Sequence, residues 1–147
     1  MSVSNATPDI LLVEDSPGDV ILVREALKGL DMCGEIHVVG DGNEALSFLK
    51  RGEGFLDAPV PDLILLDLNL PGMDGRDVLR EVKAHPEWHR IPVAVLSTSE
   101  NEDDIRASYE LSANCYIVKP LDLASFRRAM RALNDFWFSV VKFPPKH

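Results

Sequence analysis

Leu63-Ile64-Leu65-Leu66-Asp67-Leu68-Asn69-Leu70-Pro71-Gly72-Met73-Asp74-Gly75 is the stretch that decides the fold. A continuous apolar run of strand length reads as a strand covered on both faces, the habit of parallel sheets. Pro71-Gly72 then reverses the chain. Asp67 is thereby placed at the carboxyl end of a central strand, where open α/β sheets keep their chemistry. A carboxylate withdrawn from water is costly unless cations or hydrogen-bond donors meet it. Asp67 needs partners, and the rest of the chain has to supply them.

On either side of this stretch, short apolar runs alternate with amphipathic segments. Asp9-Ile10-Leu11-Leu12-Val13 predicts a first strand, and Pro17 to Leu30 a helix with Pro17 in its first turn. Glu35 to Val39 predicts a second strand, followed by a helix that Asp41 caps and that runs through Ala45, Leu46 and Leu49. After Asp67, the spacing of Val78, Leu79 and Val82 predicts a helix from Gly75 to Lys83, with Asp74 as its cap. Pro92 to Leu96 is a fourth strand, and Asn101 to Leu111 a helix whose acidic first turn suits the macrodipole. Cys115 to Val118 is a fifth strand; Asp122 then caps a last helix from Leu123 to about Phe138. Arg51 to Pro61, with its glycines and prolines, is a loop. Successive βα units predict an α/β fold, a five-stranded doubly wound parallel sheet with flanking helices.

A chain of 147 residues suits one domain with one core, here 1–147, ending in a tail over 139–147. The net charge of −9 argues against nucleic acid or an anionic membrane as partner, since both need a basic surface. Cys33 and Cys115 are isolated, without metal spacing, and read as small buried hydrophobes in a reducing compartment. Met1 to Thr7 lacks the basic start and apolar core of a signal peptide. No apolar run approaches the roughly 20 residues that span a bilayer. The expectation is a cytoplasmic protein.

Other strand ends also finish in polar residues: Glu14-Asp15 after the first, Ser97-Thr98 after the fourth, Lys119-Pro120 after the fifth. A parallel sheet carries all of them to one edge, beside Asp67. Carboxylates about 4 Å apart repel by roughly 4 kcal/mol at an effective dielectric of about 20. A hard divalent cation relieves that repulsion, and an all-oxygen, partly hydrated site suits Mg²⁺. The Lys119 ammonium would add positive charge, and Ser97 could donate to an oxyanion. The set fits phosphoryl transfer to a carboxylate. By contrast His85 and His89, four apart beside Pro86 and Trp88, read as a surface loop rather than a metal pair.

Glu14-Asp15, Asp67 with Leu70 to Gly75, Ser97 and Lys119-Pro120 together resemble the receiver domain of two-component response regulators, a flavodoxin-like fold, from about Asp9 to Leu133. The resemblance implies that Asp67 accepts a phosphoryl group from a histidine kinase. It also implies that Mg²⁺ is bound by Glu14, Asp15, Asp67 and the backbone carbonyl of Asn69. Ser97 and Lys119 would contact the phosphoryl group, Tyr116 would be the aromatic switch, and Lys119-Pro120 would be a cis peptide. Ser97 and Thr98 are both hydroxyls; spacing from the strand start and back from Lys119 favours Ser97 as the switch. The implied chemistry is slight: Mg²⁺-dependent self-phosphorylation and slow self-dephosphorylation, tuned by Asn69 and Ser99. A receiver-like interaction module that is never phosphorylated is the alternative, against which the full reactive set speaks. An aspartate-nucleophile phosphatase would want a second aspartate where Asn69 stands, and a flavin binder would not place Glu14-Asp15 beside phosphate.

Phe126, Met130, Leu133 and Trp137 form a core stripe on the last helix, yet Phe136, Trp137 and Phe138 are consecutive and cannot all face one core. The excess aromatics mark an interface and predict a homodimer through the last helix and tail; a tail folded back on its own domain is the alternative. Val20 to Val23 place four apolar residues around the first helix, so one or two should be exposed unless loops cover them. In the family that helix docks the kinase. The Asn134 to Trp137 ending and the Leu96 to Ile105 stretch look like single-domain regulators paired with phytochrome-type histidine kinases. That likeness implies a photoreceptor kinase as donor, with output through the protein's own surface or a phosphorelay partner.

Overall fold

The apolar run that carries Asp67 forms the middle of the sheet. In the computed structural model, which describes residues 8–30, 34–119 and 122–136, β3 (Leu63–Asp67) is buried along its whole length. β1 (Asp9–Val13) and β4 (Val93–Ser97) flank it, and β2 (Glu35–Val39) and β5 (Cys115–Val118) form the edges. All pairings are parallel, in the order β2-β1-β3-β4-β5. The intervening helices are α1 (Pro17–Leu27), α2 (Gly42–Lys50), α3 (Gly75–Ala84), α4 (Glu102–Glu110) and α5 (Leu123–Asp135).

Successive strand residues point to opposite faces, and the sheet divides the core accordingly. Ile10, Leu12, Leu63, Leu65, Ala94 and Leu96 meet Val23, Ala26 and Leu27 of α1 and Phe126, Met130 and Leu133 of α5. Leu11, Val13, Ile64, Leu66, Val93 and Val95 meet the opposite layer, with Phe48 of α2 and Val78, Leu79 and Val82 of α3. Helix starts are set by side-chain caps: Ser16, Asp41, Asp74, Asn101 and Asp122 each accept a first-turn backbone N–H.

Some boundaries move. α1 ends at Leu27 rather than Leu30, because Lys28 leaves helical dihedrals and Gly29 turns at φ +81°. β4 ends on Ser97 itself, one residue beyond the expected end. α5 is described to Asp135; Trp137, Phe138 and the tail lie outside the described residues, as do Cys33 and Pro120, so the expected cis peptide does too. On α1, Ile21 is 62% exposed while Val23 is buried. His85 stacks on Trp88 with ring centroids 3.7 Å apart and His89 is exposed, as a surface loop requires.

Gly75 allows α3 to start against the strand end. A Cβ there would collide with the Asp67 carbonyl oxygen and lie 2.7 Å from Leu68 Cα, both backbone atoms that cannot swing aside. Gly75→Ala is therefore expected to destabilise the protein by about 1–3 kcal/mol, as overpacking does. Thermal unfolding checks the sign, since helix propensity alone would make alanine stabilising.

Candidate functional site

Parallel register brings the strand ends level. Val13 pairs with Leu66, Asp67 with Leu96, and Ser97 with Val118, so Glu14, Asp67, Ser97 and Lys119 reach one edge of the sheet. Two backbone bonds fix the approach: Glu14 N donates to Val39 O (3.0 Å), and Lys119 N to Ser97 O (2.7 Å).

Both oxygens of Asp67 are held. Oδ1 accepts the Asn69 backbone N–H at 2.9 Å and Oδ2 accepts Lys119 Nζ at 3.1 Å. Lys119 Nζ also donates to Glu14 Oε1 at 2.6 Å and Asp19 Oδ2 at 2.9 Å, so three carboxylates share one ammonium. The Lys119, Asp67 and Glu14 side chains are only 8%, 7% and 1% exposed, so little water screens them. Glu14 Oε2 accepts the Ser16 backbone N–H. Asp15 is exposed, yet one oxygen from each of Glu14, Asp15 and Asp67 lies within 4.8 Å of the others.

Asp19 was not legible as a site residue. It stands in the first turn of α1, two residues after Pro17, and an acid there reads as a macrodipole partner. Its bond to Lys119 spans a hundred positions of sequence.

Desolvation raises the Glu14 carboxyl; Lys119 pulls it down and Asp67 pushes it up again, for a net rise to about 7. For Lys119, burial works against the charge, but Glu14, Asp19 and Asp67 outweigh it and push the ammonium up. The lysine therefore stays charged, and the carboxylates around it outnumber the one ammonium. An all-oxygen donor set with that imbalance fits a hard divalent cation such as Mg²⁺, held by Glu14, Asp15 and Asp67.

Folded Glu14 holds its proton up to about 7 whereas the free side chain loses it near 4.5, so its contribution to stability is lost as pH rises through about 7 without metal. A cation must displace that proton at low pH and need not at high pH. Millimolar Mg²⁺ is expected to raise Tm more at pH 8 than at pH 6, as scanning calorimetry with and without chelator would report.

Ser97 is buried at the end of β4 and its Oγ accepts the Ser99 backbone N–H at 3.1 Å, whereas Thr98 is exposed. Tyr116 on β5 donates its hydroxyl to Ser99 O at 2.9 Å. Phe136 is half-exposed just beyond α5.

The family model for the response regulator receiver domain matches residues 10–131. The chain belongs to that family. It is 47% identical over 141 residues to the response regulator Rcp1 of Synechocystis, covering 96% of both chains. Among solved structures it resembles the phosphorylated cyanobacterial phytochrome response regulator RcpA, with TM-score 0.89 and 46% identity over 95% of this chain and 100% of that one. The Mn²⁺-bound form of Rcp1 superposes with TM-score 0.86 and 46% identity, over 94% and 99% of the respective chains. The receiver fold thus accounts for the five-stranded sheet and its acidic edge. Among the described residues, no helix is long and apolar enough to cross a membrane.

Proposed function

We propose that this receiver is a phosphoryl-accepting switch with Asp67 as acceptor and a histidine kinase as donor. One observation carries the reading: Asp67 is presented with Oδ1 on a backbone N–H and Oδ2 on a buried ammonium, beside a second and third carboxylate. An Asp67 oxygen would bond to phosphorus as the P–N bond of the kinase phosphohistidine breaks and its electron pair returns to the imidazole. Lys119 would follow the charge from Oδ2 to a phosphoryl oxygen, and the Ser97 hydroxyl would donate to another. Glu14, Asp15, Asp67 and the Asn69 carbonyl would hold a divalent cation, which when bound would neutralise phosphoryl charge. Tyr116 would report the change to the α4 side. Turnover is limited to self-phosphorylation from small donors and slow hydrolysis.

Similarity to Rcp1 and RcpA supports a phytochrome-type kinase as partner. The test is phosphotransfer profiling against a kinase panel that includes such an enzyme, in Mg²⁺ and in chelator. Rapid Mg²⁺-dependent transfer from the photoreceptor kinase supports the pairing; preference for another kinase removes it. Absence of transfer from every kinase and from small donors favours the unphosphorylated interaction module.

Output would pass through the receiver's own surface, by phosphorelay or by a homodimer through α5 and the residues after it. The half-exposed Phe136, with Trp137 and Phe138 next in sequence, supports the dimer. Sedimentation at tens of micromolar is expected to show a dimer that deletion after Leu133 converts to monomer. A monomer in both cases would remove it.

A further inference from the structure

Ser99 has every polar group engaged. Its N–H donates to Ser97 Oγ (3.1 Å), its carbonyl accepts from Tyr116 OH (2.9 Å), and its hydroxyl donates to Asp104 Oδ2 (2.6 Å) while accepting from Asn101 N (3.1 Å). The two residues expected to register phosphorylation therefore both rest on the backbone of Ser99. That backbone is in turn held by a side-chain bond to α4.

Asp104 makes the second half of the tie. Its Oδ1 accepts Arg76 Nη2 at 2.8 Å, from the first turn of α3, which follows the Asp67 loop. One carboxylate on α4 thus bridges the first turn of α3 and the loop after β4. Capping of α4 does not explain it, because Asn101 is the cap and accepts the Asp103 N–H. Core packing does not explain it either, since Asp104 and Arg76 side chains are 37% and 30% exposed.

We propose that Asp104 is a positioning residue for phosphoryl retention: through Ser99 it fixes the Ser97 hydroxyl and the Tyr116 acceptor, and through Arg76 it ties them to α3. The inference rests on the reading of Asp67 as acceptor. With Ser97 Oγ accepting from Ser99, its own hydrogen is free to donate to a phosphoryl oxygen, in a direction the clamp sets. The clamp also keeps the Ser99 hydroxyl on Asp104. In hydrolysis, water bonds to phosphorus, the P–Oδ bond breaks with its electron pair returning to Asp67, and inorganic phosphate leaves after the water proton is lost. Loosening the loop weakens the Ser97 bond and admits water, and both effects shorten the phosphoryl lifetime.

The test uses the full chain labelled with acetyl phosphate and Mg²⁺, then freed of donor. Asp104→Ala and Ser99→Ala are each expected to shorten the half-life about threefold or more, and the double variant no further, because both break one link. Asp104→Asn keeps an oxygen for the Ser99 hydroxyl and should fall between them and wild type. In the unlabelled protein, amide exchange over 97–101 should quicken in both alanine variants. Multiplicative effects on half-life, or a lowered Tm with half-life and exchange unchanged, would overturn the clamp. A wild type that fails to label overturns the acceptor reading and this inference with it; a wild type that labels with unchanged variant half-lives overturns this inference alone.

Discussion

Asp67→Asn is expected to reduce phosphoryl labelling to background with every donor, kinase or small molecule. The substitution keeps the side-chain shape, and the amide oxygen can still accept the Asn69 N–H that now reaches Oδ1 at 2.9 Å. What it removes is the nucleophilic carboxylate and one negative charge. The amide NH₂ would face Lys119 Nζ, donor against donor, and the ammonium keeps Glu14 and Asp19 as partners. The fold should survive, and Tm without metal should change little, because lost repulsion and the lost Lys119 bond oppose each other. Intact mass after treatment with acetyl phosphate, with hydroxylamine removing the adduct, reads the result. Wild-type labelling retained in Asp67→Asn would move the acceptor elsewhere and defeat the proposed function.

Lys119→Met is the second large effect, and it separates structure from chemistry. A buried cation removed from its partners usually costs about 3–5 kcal/mol, because the charges left behind stay desolvated. Here Glu14, already raised to about 7 against the pull of Lys119, can take up a proton once the ammonium is gone, and that uptake limits the penalty. We expect about 2–3 kcal/mol at pH 8 in chelator, a fall in Tm of roughly 4–12 °C for a chain of this size. The loss should shrink at pH 6, where Glu14 is protonated, and shrink again in millimolar Mg²⁺, which takes over the neutralisation. Calorimetry at both pH values, with and without metal, checks all three. Equal losses in every condition would mean that packing of the lysine stem, not charge, holds the site together.

Much of this was readable from local pattern. An apolar strand that ends in a carboxylate, an acid pair, a hydroxyl pair and a lysine sit at strand ends, and a parallel sheet has to bring strand ends together. Alternation explains why the pattern also separates two tasks. Glu14, Asp67 and Lys119 continue the strand positions that face α1 and α5, whereas Ser97 and Tyr116 continue those that face the opposite layer. Alternation sends the two hydroxyls to opposite sides, and spacing from the strand start and from Lys119 favoured Ser97, which is 1% exposed while Thr98 lies at the surface.

By itself, then, the sequence determined the order of elements, the two faces of the core and the strand-end residues, because period and turn chemistry are local properties of the chain. Tertiary structure alone decided that Asp19 of α1 would share the ammonium with Glu14 and Asp67, and that Asp104 of α4 would tie Ser99 to Arg76. Both are acids in a first helical turn, where the local pattern is already satisfied by the macrodipole. Their second partners depend on how each helix is docked on the sheet, and helical spacing reports the buried face of a helix without naming the neighbour it will meet.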